Sequence, residues 1–67
     1  MMDLFGKKRK AELNRLIGKK VRVCFKNTEM EGELFFSEIY TGFYFLEFDN
    51  GGGIHFGCRK VKKVERL

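Results

Sequence analysis

The stretch IGKKVRVCFKNTEMEGELFF, Ile17 to Phe36, decides the fold. Val21, Val23 and Phe25 alternate with Arg22, Cys24 and Lys26, the two-residue period of a strand buried on one face. After a polar break the period resumes, with Met30, Gly32, Leu34 and Phe36 on one face and Glu29, Glu31 and Glu33 on the other. Two such runs joined by a short polar loop form a hairpin. With Phe25 opposite Met30, Val23 faces Gly32 and Val21 faces Leu34 on the core side, while Arg22 faces Glu33 and Lys26 faces Glu29 outside. Each opposite-charge pair is worth only about 0.2–1 kcal/mol, yet the charged and apolar pairings select one register. The glutamate row then reads as solvated charge partners, not as a catalytic cluster. Glycine inside a strand is costly unless the strand bends or another backbone comes close, so a bend is expected at Gly32.

Working outward toward the N-terminus, Leu13, Leu16 and Ile17 recur at helical spacing, which predicts a short helix over Ala11–Ile17 stopped by Gly18. Residues 1–10, with Lys7, Lys8, Arg9 and Lys10, read as a basic arm ahead of a single domain over 11–67. Toward the C-terminus, SEIYTG (Ser37–Gly42) is a loop and FYFLEF (Phe43–Phe48) a third strand that is apolar on both faces. One row of that strand, Tyr44, Leu46 and Phe48, is expected to face outward as an interface, so that Leu46→Glu or Phe48→Glu would split an assembly. DNGGG (Asp49–Gly53) is the strongest turn signal in the chain. Three glycines between strands lack the lysine, the hydroxyl residue and the following helix of a phosphate-binding loop, so it reads as a hairpin turn. Ile54, Phe56 and Cys58 mark a fourth strand. Val61 and Val64, three apart, suggest a turn of tight helix before or within a fifth strand ending at Leu67.

At 67 residues the chain is one domain near the lower size limit for a core unsupported by disulfide or metal, with eight Phe and two Tyr to fill it. Neither a membrane-spanning apolar run nor a signal-peptide pattern is present, and two cysteines fit reduced thiols, which places the protein in the cytoplasm. Net charge is +5 overall, but residues 1–20 carry +5, residues 21–50 carry −4 and residues 51–67 carry +4. Basic ends around an acidic middle fit docking of a polyanion; they also fit pairing of the ends with the middle.

Chemistry of other kinds finds little support. His55, Cys24 and Cys58 supply at most three nitrogen or sulfur ligands from different strands and faces, short of a structural zinc site. Residues three apart on a strand point to opposite faces, so Cys58 and His55 are a poor nucleophile pair. Neither enzyme activity nor a cofactor, metal or small-molecule substrate is expected. Aromatics interleaved with base remain: Tyr40, Tyr44 and Phe48 could stack bases while the termini hold phosphates. Flanked by Glu38, Glu47 and Asp49, they could instead cage a methylated cation, or simply pack in a core or interface.

The order of a short helix, a glycine and five strands with a bent second one resembles the Sm and Sm-like family. LNRLIGKKVRVCFK (Leu13–Lys26) and EGEL (Glu31–Leu34) carry the resemblance, which extends over residues 11–67; SH3-like barrels share the pattern. It implies a strongly bent, five-stranded antiparallel barrel with an N-terminal helix. It also implies RNA binding, and rings in which the fourth strand of one subunit joins the fifth of the next. Tyr40 falls on the family's base-stacking aromatic position. The chain departs from the family where Glu38 replaces an aspartate, Gly42 an asparagine, and Phe56–Gly57 an Arg-Gly pair. The expectation is thus a non-enzymatic, oligomeric nucleic-acid binder, RNA before DNA. Lys7, Lys8, Arg9 and Lys10 would hold phosphate, Tyr40 would stack, and Arg59, Lys60, Lys62 and Lys63 would form a second basic edge. The competing expectation is a protein-interaction or self-assembly module.

Overall fold

Alternation with period two becomes five antiparallel strands in one sheet, preceded by a helix. The computed structural model describes residues 4–67. Helix α1 spans Leu4–Arg15, and the strands are β1 (Lys20–Cys24), β2 (Glu29–Phe36), β3 (Tyr44–Glu47), β4 (Gly53–Phe56) and β5 (Lys63–Arg66). A 3-10 turn, Cys58–Lys60, precedes β5; it lies ahead of the Val61–Val64 spacing that suggested a tight turn, and it takes up Cys58, which was expected in the fourth strand. The sheet order is β4-β3-β2-β1-β5. β4 and β5 are therefore both edges, and the sheet does not close into a hydrogen-bonded barrel.

The helix begins earlier than Ala11. The expected basic arm is helical from Leu4, while residues 1–3 of that arm lie outside the described residues. Lys, Arg, Ala, Glu and Leu are all good helix formers, so the run from Lys7 continues the helix that Leu13 anchors in the core, and Gly6, which disfavours helix by about 1 kcal/mol, falls in its first turn. Arg9 fixes the extended helix to the strands: its Nη2 donates to the Lys62 carbonyl at 2.7 Å and its Nη1 to the Glu12 carboxylate. The helix ends before Gly18, which takes φ +84°, a left-handed value that glycine adopts without a Cβ clash.

The β1–β2 hairpin forms with the predicted faces but a different register. Val21 pairs with Gly32, Val23 with Met30 and Arg22 with Glu31, not with Leu34, Gly32 and Glu33. The turn decides this: Phe25 N–H donates to the Thr28 carbonyl at 2.8 Å, so the chain reverses at Lys26–Asn27 rather than one residue later. The slip is even, so every side chain keeps its face. Arg22 gains three carboxylates in this register: Glu31 at 2.9 Å, Glu65 on β5 at 3.5 Å and Glu29 at 3.9 Å. The hydrogen bond and charge of Glu31 chiefly hold its guanidinium protonated.

Gly32 has the role its position suggested. A Cβ there would stand 2.2 Å from the Glu47 carbonyl oxygen, so the end of β3 approaches β2 at a distance only glycine permits.

The core consists of Leu13, Val21, Val23, Leu34, Tyr44, Leu46, Phe56 and Val61, none more than 4% exposed. Tyr44 and Leu46 are thus interior, correcting the expected interface row. Phe48 is half-buried and also packs on the core. The Tyr44–Leu46 row of β3 is wholly apolar and turns inward, while the other row ends in the exposed Glu47. Tyr44 stacks on Phe56 with ring centroids 6.0 Å apart, and its hydroxyl donates to Asn14 Oδ1 at 2.6 Å, tying α1 to the sheet.

Burial, and secondarily the charge of Cys58, pushes the Tyr44 hydroxyl above the ordinary tyrosine value. A phenol whose folded pKa is raised stays protonated where the unfolded chain has already ionised. Stability conferred by this group is therefore complete below the unfolded tyrosine value, about pH 10, and is lost as pH rises above it. Urea denaturation should show stability falling beyond that point, with a shallower fall in Tyr44→Phe. An identical alkaline profile in both proteins would refute the assignment.

Candidate nucleic-acid interface

The unclosed side of the sheet is a groove. The inner residues of the edge strand β4, Ile54 and Phe56, meet Phe25 and Phe43 on its floor, in an open space of about 830 Å³. Four cations line it: Lys10 from α1, Lys26 from the β1–β2 turn, and Arg59 and Lys60 from the 3-10 turn. Among the described residues no aspartate or glutamate does. An aromatic floor under a rim of one charge sign offers stacking surface and phosphate contacts together.

Local geometry holds each part in place. Phe25 meets Phe56 edge-on at 5.4 Å. The Phe43 ring lies over the backbone of Gly57, where a Cβ would stand 3.4 Å from it. Phe43 N–H donates to the Tyr40 carbonyl at 3.0 Å, closing a turn in which Gly42 takes φ +82°. The Lys10 ammonium reaches this turn, 3.8 Å from where a Gly42 Cβ would be.

Tyr40 stands at the end of the groove, 53% exposed. Its ring is 5.8 Å from Phe43 and meets His55 edge-on at 5.5 Å. Ser37 Oγ accepts from the N–H groups of Ile39 and Tyr40, at 3.1 and 3.0 Å, which orders the loop that presents the ring. With its acceptor sites so used, the hydroxyl gives its one proton to His55 Nδ1 at 2.9 Å. Phe36, Ile39 and Phe43 are also exposed around this loop, 56%, 68% and 42% respectively.

The expected phosphate-binding residues divide into two sets. Lys10, Arg59 and Lys60 come together at the groove, with Tyr40 beside them. Lys7 and Lys8 are exposed on α1 away from the groove lining. Arg9 is engaged in the contacts that dock the helix. Lys62 and Lys63 lie outside the groove, where the Lys62 carbonyl receives Arg9 and Lys63 pairs with Glu65 at 3.3 Å. Phe25, Lys26 and Phe43 were not singled out as site residues from sequence. The displaced turn is what brings Lys26 to the rim.

Cys24 and Cys58 are free thiols; Cys58 Sγ donates to the Gly6 carbonyl at 3.7 Å, where α1 meets the 3-10 turn. Among the described residues no helix is long and apolar enough to cross a membrane. No protein-family model matches this chain, and comparison with curated proteins and with solved structures finds no match.

Proposed function

We propose that this chain is a non-enzymatic nucleic-acid-binding module that holds a single strand, RNA before DNA, in the groove beside β4. The observation that carries this reading is an aromatic floor under four cations with no carboxylate among the lining residues. Bases stack on Phe25, Phe43 and Tyr40 while Lys10, Lys26, Arg59 and Lys60 hold phosphates. A duplex keeps its bases stacked inside and would leave the floor unused. The element order supports a likeness to the Sm and Sm-like family. In that alignment Gly42 takes the asparagine position at a positive φ that asparagine also tolerates.

Fluorescence anisotropy with labelled single-stranded RNA and DNA oligonucleotides tests the reading. Four phosphate contacts predict a slope of log K against log salt near −3, at about −0.7 per contact on a single strand. Lys10→Glu with Lys60→Glu should weaken binding at least about tenfold and flatten that slope. Absence of binding at low salt, or full binding by the double variant, would defeat it.

A second reading, self-assembly, is favoured by one observation: β4 and β5 are both sheet edges and can pair with a strand of another copy. It predicts a nuclease-resistant oligomer in light scattering, and a strictly monomeric mass at high concentration would count against it.

A further inference from the structure

The outward face of the sheet carries chemistry opposite in sign to the groove. Register places Phe35, Phe45 and His55 side by side across β2, β3 and β4, each half-buried. The Phe45 and His55 rings are 4.6 Å apart and tilted by 43°. Gly53 lets Phe45 lie across the edge strand, since a Cβ there would stand 2.2 Å from the ring. Around this row Ile17, Phe36, Glu38 and Glu47 form a hollow of about 670 Å³.

No lysine or arginine lines the hollow. Among the described residues, neither Glu38 nor Glu47 belongs to an ion pair. Ser37 Oγ lies 2.9 Å from His55 Nδ1 at the edge of the hollow. The hollow therefore combines the electron-rich faces of aromatic rings with two unpaired carboxylates, on a chain whose net charge is +5. An anion is repelled there. A neutral apolar ligand would cover two carboxylates without replacing their hydration. A cation gains from both the rings and the carboxylates.

We propose that this hollow binds the arginine side chain of a partner protein. A guanidinium is planar and weakly hydrated, so it stacks on ring faces while its N–H groups reach carboxylates at the rim. The compact, strongly hydrated ammonium of lysine uses the rings less well. The proposal does not rest on the nucleic-acid reading: Phe35 and Phe45 are on the opposite face of β2 and β3 from the core, and only His55 borders both sites, lining the groove as well and meeting Tyr40 edge-on.

The test is a ¹⁵N–¹H NMR titration of the full chain with acetyl-Gly-Arg-Gly-amide, and with the same peptide carrying citrulline, which keeps the shape and removes the charge. The arginine peptide should move the amides of Phe35, Phe45, Glu47 and His55, and the citrulline peptide should not. Glu38→Gln with Glu47→Gln should weaken binding about tenfold; both residues are exposed, and an otherwise unchanged spectrum verifies the fold. Lys60→Glu in the groove should leave arginine binding unchanged, which separates this site from the nucleic-acid reading. Equal shifts with citrulline, or full binding by the double variant, would overturn the proposal. Shifts at these amides that depend on protein concentration alone would assign the hollow to a second copy and overturn the partner assignment.

Discussion

Leu46→Glu is expected to unfold the protein rather than to separate subunits. Leu46 is fully buried among Leu34, Tyr44 and Val21 in the core. Truncating a buried leucine to alanine already costs about 2–5 kcal/mol, and a glutamate adds a carboxylate that must be protonated or left unpaired in an apolar interior. A domain of this length has a total stability of about 3–10 kcal/mol at ordinary per-residue values. Circular dichroism of Leu46→Glu should therefore show most of the cooperative thermal transition lost. Phe45→Glu, one residue away on the outward face, should keep its transition. A folded Leu46→Glu protein with changed oligomeric state would reverse the assignment and return this row to an interface.

Gly32→Val should be the most damaging substitution that adds no charge. By strand preference alone, replacing an interior glycine with valine would stabilise β2, on a scale that spans about 1 kcal/mol. The close approach of the end of β3 reverses that sign. The new Cβ would meet the Glu47 carbonyl oxygen at 2.2 Å and its carbon at 2.9 Å, and both are backbone atoms that no rotamer change can move. Overpacking of this kind costs about 1–3 kcal/mol and more where the backbone must shift. Gly32→Ala should cost nearly as much, because the first carbon makes the clash. Gly57→Ala is the control: its Cβ would meet only the Phe43 ring, at an ordinary 3.4 Å. Urea midpoints for the three variants check the order. A Gly32→Ala midpoint equal to that of Gly57→Ala would show that the Glu47 carbonyl does not approach Gly32 so closely.

These two positions also separate what composition and pattern reveal from what they conceal. Gly32 was legible as a bend or close approach because a glycine on the inner face of an alternating strand has few other uses. Leu46 was not assigned correctly, because Phe43 and Phe45 are as apolar as Tyr44 and Leu46; the signal that separates the rows is Glu47, which shares a face with Phe43 and Phe45 and marks it as the outward one. The groove was only partly legible. Lys10, Arg59 and Lys60 stood out as charge runs, but Lys26 and Phe25 are ordinary strand and turn residues until the hairpin and β4 bring them together. Arg9 belonged to the same run as Lys10 and proved to be a helix tether.

The sequence by itself determined the two-residue alternation of Ile17–Phe36, hence a hairpin, its buried face and the glycine within it. It also determined the Asp49–Gly53 reversal and the mainly β class with a helix in front. These follow from local preferences and from which side chains water excludes. Only the tertiary structure decided the β1–β2 register, because an even slip leaves every face unchanged. It alone decided how far the helix runs back into the basic segment, and that β4 and β5 are the edges of the sheet. Each of these depends on contacts between residues far apart in the chain, where curvature and close packing choose among alternatives that local pattern leaves equal.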